Sequence, residues 1–328
     1  MTIDESTLAG WARDAGFAEC ALCDANDFDS ERLVVAGQPP LAERRQLRFC
    51  PGEDWPQIQS LAVLLWPYAE HEDEPPAGQV FVDGYYEASN AAYHAAAALE
   101  ERLTHAGCFA RANVSYPARR AAVRAGLGLI GNNGLLITHN YGTRVVIILL
   151  ATDIPVVRER VKAWRTSCLN CGRCTQACPA GALGAEGMTH PERCMRNFMM
   201  EGIVVPEALR PRMGMRLIGC DVCQRVCPMQ RPLEEATHQG FALGEFVTAD
   251  EAAFSAGVAR LARQIGRNVA RPQRVRAQAA LLAGNSGNTA FLPVLRVWAQ
   301  SDFEAVRTHA RWAIGQLAQE EDAGLDPD

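Results

Sequence analysis

The sequence predicts a mixed chain in three parts: an α/β part over residues 1–165, a small cysteine-rich part over 166–232 and an α-helical repeat part over 233–328. Three observations carry this. The first half alternates helical apolar spacing with short continuous apolar runs. Composition turns to cysteine, glycine and proline after Ser167, and beyond Pro232 the apolar periodicity is purely helical. A chain of 328 residues exceeds one compact core, so a large unit with smaller appendages is expected.

Taking the elements in order, Leu8, Trp11, Ala12 and Ala15 fall at helical spacing between Asp4 and Ala15, and Gly16 stops that helix. Phe17 to Cys23 reads as a strand. Leu61 to Trp66 reads as another, covered on both faces because its apolar run is unbroken. Tyr86 to His105 is a long alanine-rich helix closed by Gly107, and Pro117 suits the first position of a helix running to Arg124. Leu135 to Ile137 and Arg144 to Ala151 are expected to form a hairpin around His139, Asn140 and Gly142. The cysteine-rich part has too few apolar residues for a core of its own and calls for a metal staple. In the last part Val306, Ala310, Ala313, Ile314 and Leu317 share one helical face. Similar stripes between Val275 and Leu282 and between Leu292 and Trp298, with turns such as Gly284 to Gly287, predict stacked helical repeats. The acidic end, Glu320 to Asp328, is expected to be disordered.

The formal net charge of −6 excludes a protein that coats nucleic acid by bulk charge, although a local basic face is compatible with it. Lys162 is the only lysine, so positive charge is almost all arginine. No basic, apolar leader opens the chain. The longest strongly apolar run, Val145 to Ala151, is too short to cross a bilayer, so a cytoplasmic location with no membrane partner is expected. In that compartment the 12 cysteines stay reduced, and their clustering points to metal.

Cys168, Cys171, Cys174 and Cys178 are spaced C-x2-C-x2-C-x3-C with Pro179 following, and a second set comprises Cys194, Cys220, Cys223 and Cys227 with Pro228 following. In two-cluster ferredoxins the cysteine before proline reaches across to the neighbouring cluster. That rule assigns Cys168, Cys171, Cys174 and Cys227 to one [4Fe-4S] cluster, and Cys178, Cys194, Cys220 and Cys223 to the other. Zinc has no use for a third cysteine at this spacing followed by Cys-Pro. Cys20, Cys23, Cys50 and Cys108 read as core residues.

Gly126-Leu127-Gly128-Leu129-Ile130-Gly131 satisfies G-x-G-x-x-G in the wrong context, with a helix before it and a strand after it, so it is not a dinucleotide fingerprint. Two readings stay open. One is close backbone approach to something large and flat, with Asn132 and Asn133 offering amides; the other is a structural turn.

Two stretches, AVRAGLGLIGNNGLLI (Ala122 to Ile137) and the whole cysteine-rich span including Gly219-Cys220-Asp221, together with Tyr93-His94 and the helical C-terminus, resemble the epoxyqueuosine reductase family. These are cobalamin-dependent iron–sulfur enzymes of tRNA modification, related to reductive dehalogenases. The resemblance implies an N-terminal α/β cobalamin-binding domain, a ferredoxin-like two-[4Fe-4S] domain and a HEAT-like helical domain that grips tRNA. It places Gly126, Gly128, Ile130, Gly131, Asn132, Asn133 and Met229 at the cobalamin. No D-x-H-x-x-G occurs, so the resemblance and the sequence together suggest a base-off corrin without a histidine ligand. Electrons would reach it from a low-potential donor through the clusters.

The chain also departs from the family. Where an acidic V-D-x-x-P segment is usual, it reads Asn113-Val114-Ser115-Tyr116-Pro117; G-W-I-G-K becomes Gly128 to Asn132, and C-P-W-N becomes Cys227-Pro228-Met229-Gln230. With the aspartate missing, Tyr116 is the candidate proton donor, as a tyrosine is in the related dehalogenases, against the alternative of a tyrosine packed beside proline. Arg260, Arg263, Arg267, Arg271, Arg274 and Arg276, with no acid among them, offer either a phosphate-binding surface for tRNA or a solvated helix face. The leading expectation is an epoxyqueuosine reductase-like enzyme. A dehalogenase-like reductase of a small organic molecule and a ferredoxin-type electron carrier are the alternatives.

Overall fold

The computed structural model describes residues 3–36, 47–69, 75–156, 167–184, 187–188, 190–233 and 240–323. Lys162, the expected boundary near residue 165 and the end of the acidic tail lie outside them. In chain order the first half contains helix α1 (Glu5–Asp14), strand β1 (Glu19–Asp24), helices α2 (Asp29–Ala36) and α3 (Pro51–Asp54), and strands β2 (Ser60–Pro67) and β3 (Gln79–Val82). Helix α4 (Gly84–His105), strand β4 (Ala110–Ala112), helix α5 (Ala118–Arg124) and strands β5 (Leu129–Ile130), β6 (Leu136–Ile137) and β7 (Val145–Thr152) follow.

The main sheet has the order β1-β2-β7-β4, every pair antiparallel, with Ser60 opposite Thr152 and Pro67 opposite Val145. Its two central strands are continuous apolar runs because both faces are covered. On one face Leu8, Ala12, Ala92, Ala96, Leu99 and Leu103 of α1 and α4 pack against Ala62, Leu64, Val146 and Leu150. On the other, Phe28, Tyr116, Ala121, Ala122 and Leu136 pack against Leu61, Val63, Leu65 and Leu149. Each large side chain buried this way contributes about 1.5–3 kcal/mol.

The strand expected from Phe17 begins instead at Glu19; Phe17 is buried edge-on against Trp66, their ring centroids 5.4 Å apart. Pro117 caps α5 rather than opening it. The expected hairpin between Leu135–Ile137 and Arg144–Ala151 does not form. β6 pairs with β5, Leu129 opposite Ile137, and the chain then closes a small loop in which the Thr138 amide donates to the Gly142 carbonyl at 2.8 Å. β5 takes the pairing edge of β6 because Gly128 and Gly131 present no Cβ to it.

The second half contains α6 (Arg173–Ala177), α7 (Met195–Glu201), β8 (Arg216–Ile218), α8 (Val222–Arg225) and β9 (Phe241–Ala242), then α9 (Glu251–Ile265), α10 (Pro272–Asn285), α11 (Leu292–Trp298) and α12 (Glu304–Ala323). Strand β3 lies between β8 and β9, parallel to the first and antiparallel to the second, so residues distant in sequence share one small sheet. A single apolar core runs from Val80 through Met195, Phe198, Met213, Leu217 and Ile218 to the C-terminal helices. The cysteine-rich segment therefore borrows its neighbours' core.

In α12 Val306, Ala310, Ala313 and Leu317 are fully buried, and a Cβ on Gly284 of α10 would stand 2.9 Å from the Ala313 Cα. The helices meet there backbone to backbone. No helix among the described residues is long and apolar enough to cross a membrane.

Candidate metal centre and cofactor cleft

The cysteine loop is shaped by two left-handed residues, Asn170 (φ 51°) and Gly172 (φ 71°), which wrap it around to the start of α6. Cys174 lies on α6, Cys178 follows it, and the Cys178 sulfur accepts the Ala182 amide at 3.3 Å. Cys194 caps α7. Cys220 follows Gly219 (φ 92°), where any side chain would strike Asp83; Cys223 lies on α8 and Cys227 just beyond it.

Cys168, Cys171, Cys174 and Cys227 line one shallow cleft, together with Asn132, Asn133, Ile137, Leu169 and Met229. Burial raises the Cys227 thiol, and the neighbouring Cys168, Cys174 and Cys171 raise it further. Burial likewise raises Cys223, with Cys220, Cys194, Cys178 and Cys174 adding to it. Burial pushes Cys220 up to about 12. Cys174 acts on both Cys227 and Cys223, so the two groups of thiols lie close to one another. Among the described residues no three His, Cys, Asp or Glu side chains converge on a point suited to one metal ion. A donor set of free thiols alone at this spacing fits iron–sulfur clusters.

The cleft is held against the main sheet by a closed polar network. Tyr68 Oη and Thr143 Oγ1 donate to Gln224 Oε1 at 3.0 and 3.1 Å, and Gln230 Nε2 donates to Thr143 Oγ1 at 2.6 Å and to the Gln224 carbonyl at 3.1 Å. The Thr143 amide donates to Gln230 Oε1 at 3.0 Å, and Gly142 leaves room for that side chain. Arg231 Nε donates to the His139 carbonyl at 3.0 Å. Sequence reasoning missed Gln224 and Thr143, although both flank motif residues.

Gly128 and Gly131 face their own hairpin: a Cβ at 131 would lie 2.7 Å from Ile137 Cδ1 and 3.0 Å from Asn133 Oδ1. Gly126, at φ 75°, ends α5. Of the expected cobalamin residues, only Asn132, Asn133 and Met229 line the cleft; Gly126, Gly128, Ile130 and Gly131 build the turn beside it. Those three are the members of the expected set placed beside the first cysteine set.

Tyr116 is 2% exposed, stacked on Phe28 and edge-on to Trp55, and its hydroxyl donates to Asp54 Oδ2 at 2.5 Å. Burial raises its pKa first and the Asp54 carboxylate second, so the phenol holds its proton. Arg48 pairs with the other Asp54 oxygen. Asp54 comes from a segment the sequence reading passed over, and Tyr116 is not among the cleft-lining residues.

A second buried group lies beneath Cys220. Asp83 caps α4 through the Tyr85 amide at 3.0 Å, and burial, then the Asp221 charge, raises it to about 6. Arg225 Nε donates to Asp221 Oδ2 at 2.6 Å, and Arg196 Nε donates to Tyr86 Oη at 2.8 Å.

The six arginines are not equivalent. Gly266 ends α9 and breaks the stretch. Arg260 pairs with Glu245 at 2.5 Å and stacks on Phe241; Arg276 pairs with Glu251 at 2.6 Å and stacks on Phe254. Arg274 donates to the Asn268 carbonyl at 3.1 Å. Arg263, Arg267 and Arg271 are exposed. Beside them, Asn90 Nδ2 of α4 reaches the Arg263 carbonyl at 3.4 Å, on the helix that displays exposed Tyr93 and His94.

Residues 167–230 match the family described as a 4Fe-4S double cluster binding domain. An epoxyqueuosine reductase from Lactococcus garvieae (strain Lg2) is 33% identical over 117 residues, covering 36% of this chain and 33% of that protein. The chain thus spans about a third of the length of that curated relative. A selenomethionine-labelled epoxyqueuosine reductase crystal structure superposes with a TM-score of 0.78 at 22% identity, covering 98% of this chain and 94% of that one. An epoxyqueuosine reductase with an epoxyqueuosine-modified tRNA-Tyr stem loop gives 0.77 at 21%, with the same coverage. These structural likenesses establish the fold.

Proposed function

We propose, from the premise that this chain is a divergent member of the epoxyqueuosine reductase family, that it is a cobalamin- and iron–sulfur-dependent reductase. Its substrate is an epoxide in tRNA of the epoxyqueuosine kind. The observation that carries this reading is the convergence of Cys168, Cys171, Cys174 and Cys227 with Asn132, Asn133 and Met229 on one cleft, which sets a cluster beside a cofactor position. Residues 1–165 form the cobalamin-binding domain, 166–232 the ferredoxin-like domain and 233–328 the helical domain. Cobalamin, when bound, supplies a reduced cobalt nucleophile.

The chain's own residues do the rest. The Gln224–Thr143–Gln230 network fixes the peptide that carries Cys223 and Cys227, Asn133 braces its own turn and the Cys223 carbonyl from behind the cleft, and Met229 lines it. Tyr116, kept protonated by burial and by its hydrogen bond to Asp54, is the proton donor of this reading. Arg263, Arg267 and Arg271, with Tyr93 and His94, form the phosphate- and base-contacting face for tRNA.

The ion-paired Arg260 and Arg276 favour a second reading, in which the substrate is a small organic molecule and the basic face is incidental. Anaerobically reconstituted protein with both clusters should take up one base-off cobalamin, and Asn132→Arg or Met229→Arg should weaken uptake at constant iron content. Absence of stoichiometric uptake by cluster-loaded protein would sink the reductase. Salt-sensitive binding of a tRNA stem loop, lost in an Arg263/Arg267/Arg271→Ala variant, separates the two substrates.

A further inference from the structure

Electrons must reach the clusters from outside, and the cleft cannot be their point of arrival if it holds the cofactor. The other cysteine set offers a different face. The Ala182 amide donates to Cys178 Sγ at 3.3 Å, and the Ala182 carbonyl accepts the His190 amide at 3.1 Å. The turn after Cys178 therefore lies against the segment leading to Cys194. Arg212 Nη1 reaches the Pro179 carbonyl at 2.8 Å, which brings its guanidinium to the same turn, and Arg193 directly precedes Cys194. Arg193 and Arg212 are exposed, and neither has an acidic partner among the described residues. Glu192, the nearest acid in sequence, is engaged by His190 at 3.2 Å. Gly181, at φ 60°, has nothing within 4 Å of where a Cβ would be, so this surface is open. Within a chain of net charge −6, two exposed guanidinium groups with no acidic partner among the described residues, beside two cluster cysteines, make a positive spot at a redox centre.

We infer that this face, built from the 178–182 turn, Arg193 and Arg212, docks a small acidic one-electron carrier protein that reduces the Cys178/Cys194/Cys220/Cys223 cluster. The inference rests on the two-cluster reading above and not on cobalamin. In the step, one electron leaves the carrier and enters the cluster; for a flavodoxin-type carrier the hydroquinone anion becomes the neutral semiquinone and no proton moves. The arginine charges act by steering encounter and fixing orientation, so they set the association rate.

The test mixes reduced flavodoxin with cluster-loaded, cobalamin-free protein under anaerobic stopped flow and follows cluster bleaching. The wild-type rate should fall steeply with ionic strength, and Arg193→Glu/Arg212→Glu should lower it on the order of tenfold or more at low salt. Reduction of the same variant by methyl viologen radical should stay at the wild-type rate, which separates lost docking from lost clusters. Equal flavodoxin rates in variant and wild type, or a rate indifferent to salt, overturn the inference. Protein that fails to bind cobalamin yet shows the salt-dependent, arginine-dependent rate retains the docking face and loses only the reductase reading.

Discussion

The cysteine-rich segment is held by two unlike seams. Toward the C-terminal helices it is apolar: Met195, Phe198, Met199, Met213, Leu217 and Ile218 are buried in a common core with α9 to α12. The chief polar pin there is His309, whose Nε2 accepts the Val205 amide at 2.9 Å and whose Nδ1 lies 2.8 Å from the Ala277 carbonyl. Toward the main sheet the seam is polar, made by Tyr68, Thr143, Gln224 and Gln230, and the cleft opens along it. Apolar packing gives stability without direction. A closed hydrogen-bond network gives direction at little net stability, which is what a cofactor edge needs.

The comparison breaks first at the apolar seam. Leu217, fully buried, should cost about 2–5 kcal/mol on truncation to Ala, read from urea denaturation, and both clusters should be lost together. An unchanged midpoint would show that this seam is not the stabilising one. Next is pH. Burial lowers His309 to about 4 from 6.5, so the folded protein keeps it neutral while the unfolded chain protonates it. Its contribution is complete above about pH 6.5 and is lost as pH falls toward 4, roughly 3 kcal/mol in all. Asp83, raised to about 6, has the opposite slope in the acid range, so the measurement is the difference between wild type and His309→Gln at pH 7.5 and at about pH 5, which cancels it. Parallel pH curves would remove His309 as the pin.

The polar seam should respond differently. Gln230→Ala leaves the Thr143 amide without its partner and removes one of the donors to the Gln224 carbonyl, and should cost about 1–3 kcal/mol. On the proposed cluster assignment its sharper signature is spectroscopic: the electron paramagnetic resonance of the cluster held by Cys227 should change while that of the cluster held by Cys194 stays constant. Equal changes in both would erase the distinction between the seams. Smallest of all, Arg267→Ala and Arg271→Ala should move stability by no more than about 0.5 kcal/mol, since both side chains are exposed. Arg276→Ala, losing Glu251 and the Phe254 ring, should cost about 1 kcal/mol, and the contrast by thermal melting checks which arginines are committed to the fold.

Chemistry that depends on residue type and local spacing was legible in the chain alone. The C-x2-C-x2-C-x3-C-P run marks a double-cluster segment because its short loop brings three thiols to one side while the cysteine before proline points to the neighbouring set. The stripe Val306, Ala310, Ala313 and Leu317 fixes a buried helix face by period alone. Long-range partners were not legible. Gly128 and Gly131 admit a β5–β6 pairing that no local pattern distinguishes from a ligand cradle, Asp54 meets Tyr116 across 62 positions, and Glu245 and Glu251 withdraw two arginines from a surface that looked wholly basic. Side-chain type and local period are properties of the sequence, whereas hydrogen-bond and ion-pair partners are set by which backbone segments the buried core brings within about 3 Å. Only the tertiary structure decides that.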